Sequence, residues 1–311
     1  MIALAIGATG AAAIPRAQPQ PPVDTEVYLA SYAPGQPAAI SAVIDISKDP
    51  EYDNQPSFTP DSRAVLFTSK RDGKQTDIYR YDIASRKLTQ ITHTPESEYS
   101  PLVTPDGTSI SVVRVEADGT QRLWRFDLDG THPRLVLENI KPVGYHAWID
   151  ATHLALFVLG AQGQPATLQL ADTTTGQAEI VATNIGRCLA IRPGTTPARA
   201  TYVDKSVKPW MLSEINPSTR APEAVAMLSS GGDRAAAEDY AWDPSPSRAQ
   251  FLIASGTTIA AGGLLASGGR TQQVADLSAR GVTNITRLAV SPDAKWIAFV
   301  AQPKPAAARL P

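Results

Sequence analysis

One cysteine, Cys188, stands in a chain of 311 residues, so no disulfide can close within the chain and no multi-cysteine zinc site can be built. Aromatic residues are sparse at 6%, and the four histidines are scattered. Basic and acidic residues nearly balance, 28 against 30, for a formal net charge of -2 at pH 7. The basic excess of a nucleic-acid binder is missing. A hydrophobic content of 43% excludes general disorder, which needs low hydrophobicity and high net charge. Long apolar runs are missing too. Residues 2–13 (IALAIGATGAAA) are apolar but too few for a bilayer, which takes roughly 20 residues.

That first run has the length of a signal-peptide core, and Ala11-Ala12-Ala13 offers a small-residue cleavage pattern. No basic residue precedes it, so a disordered N-terminus is the alternative. The expectation is a signal-like segment with a Pro/Gln-rich linker over residues 1–22, a folded unit over 23–302 and a disordered tail over 303–311. The mature protein is then periplasmic or secreted, without a transmembrane segment. No cysteine lies near the cleavage point to carry a lipid.

What the chain has in excess is proline, 26 residues or about 8% against a usual ~5%, which suits many short segments and turns rather than long helices. The prolines mark a repeat. Pro56-Ser57-Phe58-Thr59-Pro60-Asp61 is followed by Val65-Leu66-Phe67, and Pro101-Leu102-Val103-Thr104-Pro105-Asp106 by Ile110-Ser111-Val112. The last copy is Val290-Ser291-Pro292-Asp293 with Ile297-Ala298-Phe299. Weaker copies surround Trp148-Ile149-Asp150, Arg192-Pro193-Gly194 and Trp242-Asp243-Pro244. The anchors at 60, 105, 149, 193, 244 and 292 are spaced by 45, 44, 44, 51 and 48 residues.

Each unit reads as strand, Pro-Asp turn, strand, then two more strands, such as Asp77–Asp82 with Lys87–Thr92 and Arg122–Asp127 with Pro133–Leu137. Four short strands per ~40–50 residues is the pattern of a β-propeller blade. The last unit runs out of chain after its second strand. Its missing partners stand at the other end, as Glu26–Ala30 and Ala42–Ile46. The fold expected is therefore all-β: a six-bladed β-propeller of four-stranded blades, closed by N-terminal strands that complete the C-terminal blade. At this spacing six blades need about 278 residues, and 276 separate Glu26 from Ala301 inclusively. The Gly/Ala/Ser-rich segment 254–269 predicts that the fifth blade is the least regular.

These repeats, P-x-x-(S/T)-P-D followed by an alternating strand, then I-Y-x-x-D, then L-T, resemble the propeller repeats of TolB, the periplasmic member of the Tol-Pal envelope system. The likeness is good over residues 54–130 and 286–301 and decays between them. It implies a propeller that binds other envelope proteins. TolB carries an α/β domain before its propeller. Only about a dozen residues separate the signal-like segment from the first strand here, so the expectation is a TolB-like propeller without that domain. Similar repeats occur in secreted propellers and serine peptidases, so the likeness specifies fold far better than function.

In a propeller the residues just before each innermost strand gather at the central channel. The binding candidates are Asp53 and Asn54, Glu98 and Tyr99, Tyr145 and His146, Arg187, Glu238 and Asp239, and Arg287; Tyr52, Cys188, Tyr240 and Asn284 occupy the same zone. Aromatic and arginine side chains are common anchors at interfaces, although a channel mouth is polar simply because it is wet. No metal site is expected, because His146 is alone where two or three imidazoles would have to converge with a carboxylate. His93, His132 and His153 fall in turns, and Cys188 reads as a small core residue. Asp127-Leu128-Asp129-Gly130 begins like a calcium loop but is not continued, and reads as a hairpin turn. There is no G-x-S-x-G, Walker loop or H-E-x-x-H. The function expected is a monomeric protein-interaction module with no catalytic constellation and no cofactor. The alternative is a hydrolase- or lyase-type propeller enzyme working through channel acids, with Glu98 and either Glu238 or Asp239 as the pair.

Overall fold

The computed structural model describes residues 24–35, 39–71, 74–228, 238–245 and 247–303. The signal-like segment, its linker and residues 304–311 lie outside the described residues. Pro303, expected in the tail, ends the last strand.

Six four-stranded antiparallel sheets form a ring. Their inner strands are Asp53–Phe58, Ser97–Val103, Val143–Trp148, Ile185–Ile191, Tyr240–Trp242 and Val282–Val290, which begin blades 1 to 6. Blade 6 has the order Ile40–Asp45, Glu26–Tyr32, Trp296–Pro303, Val282–Val290, so the N-terminal strands supply its outer half. Glu26 faces Ala301 and Ser31 faces Trp296 without a break in register. In the fifth blade Gln250–Ser255 pairs with Thr258–Gly263 along its whole length, while Tyr240–Trp242 is the shortest of the six inner strands and the pairing with Thr271–Asp276 shifts register. The small residues of this blade have a packing reason, since a Cβ on Gly262 would lie 2.4 Å from the Phe251 ring opposite. The shortest outer strands belong instead to blades 1 and 2, Leu88–Gln90 and Arg134–Leu135.

The Pro-Asp anchors are one turn built repeatedly. Thr59 Oγ1 donates to Asp61 Oδ1 at 2.6 Å and accepts Ala64 N at 3.0 Å; Thr104 with Asp106 and Ser291 with Asp293 repeat the contact. The residue after the aspartate lies in the left-handed region at Ser62, Gly107 and Ala294. That conformation explains the preference for small or glycine residues there. The Asp127–Gly130 segment is a hairpin turn as read: Asp129 caps Thr131 N, and a Cβ on Gly130 would lie 1.9 Å from the Ile91 carbonyl oxygen of blade 1.

The core lies between blades rather than at the ring axis. Val27 and Leu29 pack with Val65, Phe67 and Tyr81 of blade 1, while Tyr28, Ala30 and Tyr32 pack with Leu252 and Ile259 of blade 5. Strand alternation sends one N-terminal strand into both neighbouring cores.

Two junctions carry the same polar lock. Between blades 2 and 3, Ser111 Oγ donates to Leu102 O, accepts Trp148 Nε1 at 2.9 Å and lies 2.7 Å from His146 Nε2. Between blades 4 and 5, Thr201 Oγ1 donates to Ala190 O, accepts Trp242 Nε1 at 3.0 Å and lies 2.8 Å from the Tyr240 hydroxyl. His146-Ala147-Trp148 and Tyr240-Ala241-Trp242 are thus equivalent. Ser111→Ala should cost about 1–3 kcal/mol, because it leaves a buried indole N–H and imidazole without their shared partner. Chemical denaturation checks this, and Thr201→Val should behave alike; no change in either would show that the lock contributes nothing to stability.

Candidate functional site

The inner strands bulge as they pass the ring axis. Between Asn54 and Ser57 and between Tyr99 and Leu102 the register with the second strand slips, with Gln55 and Ser100 in the left-handed region. A bulge resets which side chains face the axis and which face the next blade. Around the axis lies a cavity of about 120 Å³, lined by residues 55–57, 100–102, 145–146, 187–189, 239 and 287–288. Each of the six blades contributes to it.

Asp239 organises the cavity wall. Arg187 grips its carboxylate bidentately, Nε to Oδ1 at 3.2 Å and Nη2 to Oδ2 at 2.7 Å. Arg287 donates Nη1 to Oδ1 at 3.3 Å and Nη2 to the Tyr145 hydroxyl at 2.6 Å, its guanidinium 4.8 Å from the centre of the Tyr145 ring. Burial works against the charged form of Asp239, but the two guanidiniums outweigh it and hold the carboxyl below its ordinary range. Glu238 is shared between Lys205 and, at 3.7 Å, Arg187. Tyr52 and Tyr99 meet edge to face with centroids 6.5 Å apart. Burial raises the Tyr52 phenol well above its ordinary value, with Tyr145, Arg287, Tyr99 and Arg187 all in electrostatic range.

The structure therefore brings together Tyr145, Arg187, Glu238, Asp239 and Arg287 of the expected residues, with Tyr99 packed on Tyr52 nearby. The others are engaged elsewhere. Glu98 is 0% exposed and accepts Thr92 Oγ1 and Thr94 Oγ1 beside Arg114, at the junction of blades 1 and 2. It makes no pair with Glu238 or Asp239, which have closed on their own cations. Asp53, also 0% exposed, sits at the junction of blades 6 and 1, and Asn54 folds its amide oxygen onto Gln55 N. His146 reaches the cavity wall but belongs to the lock with Ser111. Burial pushes its imidazole down to about 3, so it is neutral at pH 7. Cys188 is half-buried and donates Sγ–H to Tyr240 O at 3.3 Å; burial pushes its thiol up to about 12, which leaves it unreactive. His132, in a loop, and His153, at the start of the strand His153–Val158, are exposed and paired with Asp127 and Asp150. Among the described residues no group of three or more His, Cys, Asp or Glu is arranged to hold a metal ion. Sequence reasoning missed Lys205, Gln55 and Ser100; the repeated residue-Pro at Gln55-Pro56 and Ser100-Pro101 was the available signal for the bulge.

No family model matches the chain. Solved structures do. One named for TolB, from Agrobacterium tumefaciens, superposes with a TM-score of 0.65 at 15% identity, over 89% of this chain and 98% of that one. The chain has the fold of the TolB-like propellers. TolB from Acinetobacter baumannii matches with a TM-score of 0.56 at 13% identity, over 91% of this chain and 66% of that one. An oligogalacturonate lyase in complex with manganese matches with a TM-score of 0.54 at 12% identity, over 84% and 80%. At these identities the likeness shows fold alone, and the TolB-like architecture here is shared with an enzyme. Among the described residues no helix is long and apolar enough to cross a membrane.

Proposed function

We propose that this TolB-like propeller is a periplasmic or secreted binding module that docks an envelope protein at its channel mouth. The observation that carries the reading is the cluster of Tyr145, Arg187, Asp239 and Arg287 at a shallow cavity to which all six blades contribute, with Tyr52 and Tyr99 packed on each other nearby. Aromatic and arginine side chains held rigidly by their neighbours bind with little loss of side-chain entropy. The channel carboxylates favour binding over hydrolysis or lysis. Asp239 is held ionised by two guanidiniums and so is not poised to donate a proton, and Glu238 is already ion-paired with Lys205.

Cross-linking in intact cells, purification of the tagged protein and mass spectrometry should recover one or two envelope proteins. The variant Tyr99→Ala/Tyr145→Ala/Arg187→Ala should lose them, with its circular dichroism spectrum retained. Recovery undiminished by the triple variant would remove the channel mouth from the interface. No specific recovery at all, from a protein shown to be exported and folded, would transfer the reading to a small-molecule or enzymatic channel.

A further inference from the structure

Among the described residues the charges at the axis do not cancel: Arg187, Arg287 and Lys205 face Asp239 and Glu238, one cation more than the carboxylates. The surplus is not spread over a solvated face. The Arg287 side chain is 13% exposed and is fixed between Asp239 and the Tyr145 hydroxyl, while 35% of the Arg187 side chain remains open. A guanidinium locked on one edge and open on another is prepared to receive a second planar anion without further ordering. The Tyr145 hydroxyl accepts from Arg287, so its own proton points away from that arginine. The space beside these groups, about 120 Å³, admits a carboxyl group with a few carbons and excludes a folded chain.

We propose that the cavity is a carboxylate-binding site, which takes the acidic tip or free C-terminal carboxylate of a partner segment on Arg187, Arg287 and the Tyr145 hydroxyl. This rests on the binding-module reading and specifies what that module grips. Asp239 acts in it as a built-in competitor. It keeps both guanidiniums in place in the empty site and shares them when a second carboxylate arrives. Two sources carry the same chemistry, a peptide terminus and a free small dicarboxylic acid.

Titration calorimetry on the whole chain tests the proposal with three probes: an acetylated pentapeptide ending in a free glutamate, the same peptide with glutamine and a C-terminal amide, and succinate. The acidic peptide should bind and the amidated one should not. Arg287→Gln, which leaves Asp239 its bidentate partner and so preserves the fold, should weaken binding about tenfold or more, and Tyr145→Phe more mildly. Asp239→Asn should tighten it, because both guanidiniums are released; a purely structural ion cluster would give no such gain. Binding should weaken as salt is raised. Equal binding of the two peptides, or unchanged binding in Arg287→Gln, would overturn the proposal. So would a failure of every probe to bind both the native chain and Asp239→Asn. If succinate binds and neither peptide does, the carboxylate site stands and the protein-docking reading fails. If envelope partners are captured through the mouth while no carboxylate probe binds, the docking reading stands and this inference fails.

Discussion

Removal of residues 23–46 is expected to give a chain that aggregates and shows no cooperative melt. The segment contributes the outer two strands of blade 6, and its strand Glu26–Tyr32 is buried on both faces. Val27 and Leu29, at 0% and 1% exposure, fill the junction with blade 1, and Tyr28, Ala30 and Tyr32 fill the junction with blade 5. The Tyr32 hydroxyl also donates to Asp243 Oδ2 at 3.0 Å, across that second junction. Burying a large apolar side chain is worth about 1.5–3 kcal/mol, so the four larger ones together rival the 5–15 kcal/mol by which a whole domain is ordinarily stable. The deletion also bares the edge of Trp296–Pro303, a strand of mostly buried apolar residues ready to pair with another chain. Size-exclusion chromatography and a thermal melt decide the matter, and Leu29→Ala, expected to cost about 2–5 kcal/mol, provides the graded control. A truncated chain that stays monomeric and melts like the full one would show that the ring does not depend on its closing strands.

The ring was legible because a propeller writes its fold as a period. Spacing of the Pro-Asp anchors gives the blade number, and the half-unit at each end gives the closure. Both depend only on chain length and turn chemistry, which act locally. The weak anchors at Ile149, Pro193 and Pro244 still occupy their places, since the strands around them remain apolar where Leu154, Tyr202 and Leu252 must be buried.

The channel was legible only in part. Arg187, Asp239 and Arg287 could be placed near the axis from sequence, but their convergence on one carboxylate joins residues 48 and 52 positions apart, which no local pattern encodes. Asp53 and Glu98 precede the bulges at Gln55 and Ser100, and a position read as axial by counting turns inward to a blade junction. His146 seemed available because it is a histidine. Its counterpart Tyr240 shows that the position asks for a side chain that reaches the hydroxyl of the preceding blade.

Three carboxyls buried at blade junctions should make the protein more stable near pH 5 than near pH 8. Glu26, Asp53 and Glu98 are all buried, and burial pushes each carboxyl up to about 7. Compensation is thin at both junctions. Glu26 has Ser47 Oγ at 2.5 Å and lies near Asp45 and Asp24; neither oxygen of Asp53 closes a hydrogen bond among the described residues, and its neighbours are Ser69, Arg71, Glu26 and Asp49. Glu98 has Thr92 and Thr94 as donors and Asp77 as a repelling neighbour, while Arg114, 3.6 Å away, pairs more closely with Glu96. Between the ordinary carboxylate range and about 7 the folded chain therefore binds protons that the unfolded chain does not, so stability falls as pH rises through that window and levels above it. Each group accounts for on the order of 1–3 kcal/mol, and Glu26 with Asp53 titrates as a pair. His146 has the opposite sign. Its imidazole, pushed down to about 3, stays neutral in the fold, so its contribution is lost as pH falls below 6.5, the ordinary value, toward about 3. The three buried carboxyls outweigh the imidazole on the alkaline side of that window, and on the acid side the imidazole prevails together with Asp239 and the turn aspartates held low by their hydrogen bonds, such as Asp61, Asp106 and Asp172. Denaturant melts from pH 4 to 8 should show a maximum near pH 5, and Glu98→Gln should flatten the alkaline limb, matching the native chain at pH 5 and exceeding it at pH 8. If Glu98→Gln is weaker at both, the carboxylate is ionised and held by Arg114, and the junction of blades 1 and 2 is a salt-bridged one.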